Sequence, residues 1–222
     1  MQLHLFNKVW KESKKQIEAD RSILFLNGGT VLVFLMLSVY AKFLGKGQGI
    51  EFLFADPFSI RRPYFGLLTS VSEILWCLSG TVCLFTFSLL NTISPNRKAD
   101  LFVLCSAIGI FVLLADDLFR ITLILKGLAK VPKGVMYVVY GTGAIAYGLC
   151  FWRKLLSTPY VLLIVAGILF AISGLVDIVH IKGNGTPAML EDGTKLLGIL
   201  NIAFYFWHVC RQEIMQRKYG IS

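Results

Sequence analysis

The sequence predicts an all-α fold: a polytopic transmembrane helical bundle of six spans, with both termini cytoplasmic and an amphipathic interfacial helix at the N-terminus. Three observations lead there. Hydrophobic residues make up 56% of the chain, above the apolar share usual for soluble domains. Six apolar runs, at 22–44, 64–91, 99–126, 134–152, 159–181 and 190–210, each approach the ~20 residues a helix needs to cross a bilayer. Turn-forming stretches separate them: Lys42 to Pro63, Ser94-Pro95-Asn96, Val131-Pro132-Lys133, Ser157-Thr158-Pro159 and Lys182 to Pro187.

Residues 1–21 form the first element. Leu3, Phe6, Trp10, Ser13 and Ile17 recur at helical spacing, while Lys8, Lys11, Lys14 and Lys15 fall elsewhere. That pattern suits a helix lying on a membrane whose cytoplasmic leaflet is anionic. Residues 22–212 are the six-span domain, and 213–222 a basic C-terminal tail. In the fourth run, Gly141, Gly143, Ala144, Ala146 and Gly148 would let a neighbouring helix approach closely. No signal peptide is visible, because residues 1–21 are charged and interrupted.

The formal charge is +9, but the basic residues fall between apolar runs. Lipid headgroups explain that placement, and no nucleic-acid partner is expected. With six spans, the face carrying both termini holds twelve basic residues against five acids, and the other face holds ten against eight. The positive-inside tendency makes the first face cytoplasmic. The sequon Asn184-Gly185-Thr186 falls on the other face. Plasma and internal, thylakoid-like membranes are not distinguished. Cys77, Cys83, Cys105, Cys150 and Cys210 lie in or beside apolar runs without C-x-x-C spacing, so they read as packing residues.

Chemistry is concentrated in acids. Glu73 lies about ten residues into the second run, and Asp116 and Asp117 about ten residues before the third run ends. These three carboxylates are expected at a common depth, roughly 13–15 Å from the external face. Asp177 with His180 closes the fifth run there, and Glu191, Asp192 and Lys195 open the sixth. Every acid that the runs contain or begin with is thus expected in the external half. Asp116 with Arg120, Asp177 with His180, and Glu191 with Lys195 have spacings that share a helix face. The expected ligand-binding set is Glu73, Asp116, Asp117, Arg120, Asp177, Glu191 and Lys195. Its net negative charge would suit a proton, a metal cation or an amine.

Histidine chemistry is excluded on spacing. His180 and His208 sit near opposite ends of neighbouring spans, roughly 30 Å apart in depth, so neither haem nor a shared ion is expected. His4, in the N-terminal arm, is the only other histidine. A metal would therefore be a divalent cation such as calcium, magnesium or manganese, held by Glu73, Asp116 and Asp117. Ser70, Ser72 and Ser79 lack a histidine base at matching depth, which argues against a serine nucleophile.

Three segments carry a resemblance: Ser72-Glu73-Ile74-Leu75-Trp76, Asp116-Asp117-Leu118-Phe119, and Glu191-Asp192-Gly193-Thr194-Lys195-Leu196-Leu197-Gly198. Together, over most of 64–205, the chain resembles a group of uncharacterised bacterial, largely cyanobacterial, polytopic membrane proteins. The resemblance implies a multi-pass fold and no activity. Three functions remain open: binding of an ion, proton or small cationic ligand for transport or sensing, metal-assisted lipid hydrolysis inside the membrane, and a non-catalytic subunit role beside other membrane subunits.

Overall fold

The computed structural model describes residues 21–43, 45, 47–55, 65–93, 97–179 and 185–219. Most of the N-terminal arm, with His4, lies outside them, as do His180 and Asn184. Among the described residues the chain is helical, with no strand. In order come α1 (Arg21–Phe43), α2 (Gly47–Leu53), α3 (Leu67–Ile93), α4 (Arg97–Phe119), α5 (Ile121–Leu128), α6 (Lys133–Cys150), α7 (Trp152–Leu156) and α8 (Val161–Val179). A short α9 (Thr186–Ala188) then runs through a π-helical turn (Met189–Gly193) into α10 (Thr194–Tyr219).

Three of these helices are long and apolar enough to cross a membrane: α3, α4 over Asp100–Phe119, and α8. Two boundaries differ from the sequence expectation. The third run does not form one helix, because Arg120 adopts the left-handed conformation (φ 53°, ψ 41°) and ends α4 at Phe119. Residues 213–219, expected as a tail, continue α10.

The chain divides into two compact units, residues 1–69 with 159–202 and residues 70–158 with 203–222. In the first, α8 packs against the π-helical turn, and α2 packs against α1 and α9. Buried Ile50 and Met189 form a small core with Phe34, Leu37 and Phe54. Gly66 (φ 68°) turns the chain so that its N–H reaches the Phe52 carbonyl at 2.8 Å. Its left-handed angle suits a residue without a Cβ. The Gly185 N–H donates to Glu51 Oε1 at 2.7 Å. Asn27 and Asn201 exchange side-chain amide hydrogen bonds at 3.0 and 2.8 Å, joining α1 to α10.

In the second unit the buried side of α3 is Ser72, Trp76, Ser79, Gly80, Cys83, Thr86 and Leu90. These positions recur at helical spacing on one face. The outward residues include Val71, Ile74, Leu78, Leu84 and Phe85. Polarity is thus inverted relative to a water-soluble helix: small and polar groups join Trp76 and Leu90 inside, and large apolar side chains dominate the outer face. Small buried residues let helix backbones approach where the surrounding medium is itself apolar. α8 is similar, with Val161, Leu162, Ala166 and Ser173 inside and Ile164, Ile168, Ile172, Leu175 and Ile178 outside. A ring cluster of Phe102, Tyr147 and Phe151 joins α4 to α6, reinforced by the 2.6 Å contact of Ser106 and Tyr147 hydroxyls.

Candidate functional site

The seven expected site residues fall in both units. Glu73, Asp116, Asp117 and Arg120 belong to the second, and Asp177, Glu191 and Lys195 to the first. All seven are half-buried.

Asp116 is the most fully described. Its Oδ1 accepts the Thr122 backbone N–H at 2.7 Å. The Thr122 hydroxyl bridges both carboxylate oxygens at 2.8 and 2.9 Å. The Tyr140 hydroxyl of α6 is also hydrogen-bonded to Asp116. The physical reason lies in the helix break. Ending α4 at Phe119 starts a new helix at Ile121, whose first-turn N–H groups have no partner within the helix. Asp116, one turn back, supplies the acceptor for one of them, and the Arg120 carbonyl accepts those of Leu123 and Ile124 at 2.9 and 3.0 Å. Asp116 is therefore the cap of α5. Arg120, expected one turn after Asp116 on the same helix face, is itself left-handed, so the face that carries Asp116 does not continue to it.

Asp117 turns to α3, where its Oδ2 is 3.4 Å from Ser72 Oγ. Glu73 is the next residue along α3. Glu73 lies six residues into α3 and Asp117 two residues from the end of α4, or about 9 Å and about 3 Å from those helix ends. Among the described residues, no group of three His, Cys, Asp or Glu side chains is arranged to hold a metal ion.

In the first unit, Asp177 lies two residues from the end of α8, while Glu191 is in the π-helical turn and Lys195 just beyond it. None of the three is without a partner. The glycines of the same motif have a packing role. A Cβ on Gly193 would rest 3.5 Å from the Phe34 ring, and one on Gly198 would meet the Phe170 ring at 3.2 Å and the Ala166 carbonyl at 3.4 Å.

The most buried acids were not among the expected set. Asp100 is 6% exposed and Glu213 5%. The Arg217 guanidinium bonds Asp100 Oδ1 at 2.6 Å and the Leu90 carbonyl at 2.9 Å, while Lys154 pairs with Glu213. Asp100 opens α4, at the end opposite Asp116 and Asp117. This corrects the expectation that acids at the runs gather in the external half. The cause is structural: α10 continues past Cys210, so Glu213 and Arg217 become packed helix residues instead of tail. Cys83 and Cys210, read as packing residues, are buried free thiols with Sγ atoms 3.9 Å apart.

Comparison with curated proteins and with solved structures gives no match. A family model, described as a domain of unknown function (DUF8692), matches residues 29–209. That stretch runs from α1 through most of α10 and includes all seven expected site residues, so the chain belongs to the DUF8692 family.

Proposed function

We propose that this chain is a multi-pass membrane protein that binds an ion, a proton or a small cationic ligand at an acidic site near its external face. In this reading α1, α3, α4, α6, α8 and α10 cross the bilayer, with both termini cytoplasmic. The inverted polarity of α3 and α8 supports membrane insertion, because their exposed faces would be poorly solvated by water. The binding reading rests on one contact, the 3.4 Å approach of Asp117 to Ser72. It brings a carboxyl of α4 to the polar face of α3, beside Glu73. Were the Glu73 carboxyl to turn toward Asp117, the two would favour a bound cation, or a proton shared between them. Asp116, whose carboxylate accepts from Thr122, bridges the helix break.

The test uses purified protein in lipid nanodiscs. Its unfolding midpoint is followed against pH and against sodium, potassium, magnesium and calcium, for wild type, Glu73→Gln and Asp117→Asn. Binding predicts a cation- or proton-dependent shift that both variants reduce. A midpoint indifferent to every cation and to pH from about 5 to about 9, a range that takes in histidine and raised carboxyl titrations, refutes it.

A second reading, a subunit of a larger membrane complex, is favoured by α6. None of its residues is buried, and a Cβ at Gly141, Gly143 or Gly148 would meet nothing within 4 Å. Co-purification of a second membrane protein in fixed ratio, lost on Gly143→Leu, would favour that reading.

A further inference from the structure

We propose that α5 is an interfacial helix lying in the headgroup layer at the external face, where Lys126 and Lys130 engage the phosphates of anionic phospholipids. The inference rests on the membrane reading above and goes beyond it, because it assigns α5 neither to a span nor to an aqueous loop. The apolar stretch Asp100–Phe119 of α4 has 20 residues. At ~1.5 Å per residue it covers about 30 Å, the whole hydrocarbon thickness. The left-handed Arg120 then redirects the chain where the hydrocarbon ends.

α5 carries more apolar surface than the protein covers. Ile121 and Leu125 are half-buried, as is Thr122, which is bonded to Asp116. Leu123, Ile124 and Leu128 are 43, 49 and 85% exposed. Part of the apolar surface of α5 therefore points away from the protein, as on a helix whose outer neighbour is acyl chain. Lys126 shares the polar side, one turn after Thr122, and Lys130 follows the helix in a second left-handed position (φ 54°). Both lysines are exposed. Ammonium groups beside an outward apolar surface match the charge and level of a phosphate headgroup.

Three measurements decide it. Wild type, Lys126→Gln/Lys130→Gln and Lys126→Arg/Lys130→Arg are reconstituted in nanodiscs of phosphatidylcholine alone or mixed with phosphatidylglycerol. Phosphatidylglycerol should raise the wild-type unfolding midpoint, the glutamine pair should lose at least half of that increment, and the arginine pair should keep it. A spin label at Leu128→Cys, in a background with Cys77→Ser and Cys150→Ser, should be reached by oxygen and shielded from a water-soluble nickel chelate. An undiminished increment in the glutamine pair, or a label open to the chelate, overturns the proposal. Carbonate extraction separates this from failure of the membrane reading: release of the whole protein into the soluble fraction refutes that reading instead.

Discussion

Replacing Arg217 with leucine tests the electrostatic clamp of the second unit. The guanidinium bonds Asp100 at 2.6 Å and the Leu90 carbonyl at 2.9 Å, with 8–10% of either side chain accessible. Arg217→Leu therefore strands a buried carboxylate and a carbonyl together. Breaking a buried pair from one side typically costs about 3–5 kcal/mol, since the remaining charge keeps its desolvation penalty. Removing both partners is different. Asp100→Leu with Arg217→Leu abolishes the stranded charge, and the double variant should recover to within about 1–2 kcal/mol of wild type. With about 3–5 kcal/mol lost in each single variant and about 1–2 kcal/mol in the double, the coupling energy from the four proteins should be about 4–9 kcal/mol. The assay is reversible unfolding in mixed micelles with increasing sodium dodecyl sulfate, read by far-UV circular dichroism. A single-variant loss under about 1 kcal/mol, the range of exposed pairs, would refute the reasoning. So would a double variant whose loss equals the sum of the two singles.

Asp116→Ala should destabilise by about 1–2 kcal/mol through loss of the α5 cap, and Thr122→Val combined with it should add little; chemical unfolding of the three variants checks both. Gly198→Ala, which presses on Phe170 and the Ala166 carbonyl, should cost about 1–3 kcal/mol. Gly143→Ala, with open space around it, should leave the unfolding midpoint unchanged. Asn201→Leu breaks the amide pair with Asn27 and should cost about 1–2 kcal/mol. Asn27→Leu together with Asn201→Leu should regain part of that loss in the same unfolding assay.

What the sequence made legible was set by local pattern. Apolar runs and their breakers located α1, α3, α6 and α8 closely, because helix length follows from uninterrupted apolar sequence. The end of α4 was missed because Phe119-Arg120-Ile121 carries no Gly or Pro, and the turn at the left-handed Arg120 is bridged by a side-chain bond from the Thr122 N–H to Asp116 that no apolar pattern announces. That break, in turn, places Asp116 and Asp117 in the last turn of their helix. The sequence placed Glu73, Asp116 and Asp117 at a common depth; the 3.4 Å approach of Asp117 to Ser72 depends on how α3 and α4 pack, which no local pattern encodes. The Asp100–Arg217 and Asn27–Asn201 pairs span 117 and 174 residues, distances at which no helical periodicity speaks. Asn201 did leave a trace, as a lone amide within an apolar run. The inverted polarity of α3 was also present as Ser72, Ser79, Thr86 at helical spacing, but its meaning depends on knowing which face is buried.

The amide pair of Asn27 and Asn201 has a consequence for biosynthesis. Translation delivers Asn27 174 residues before Asn201, which is fully buried in the finished protein. A chain arrested between the two presents Asn27 without its reciprocal amide. Termination at or before residue 201 would remove this bond.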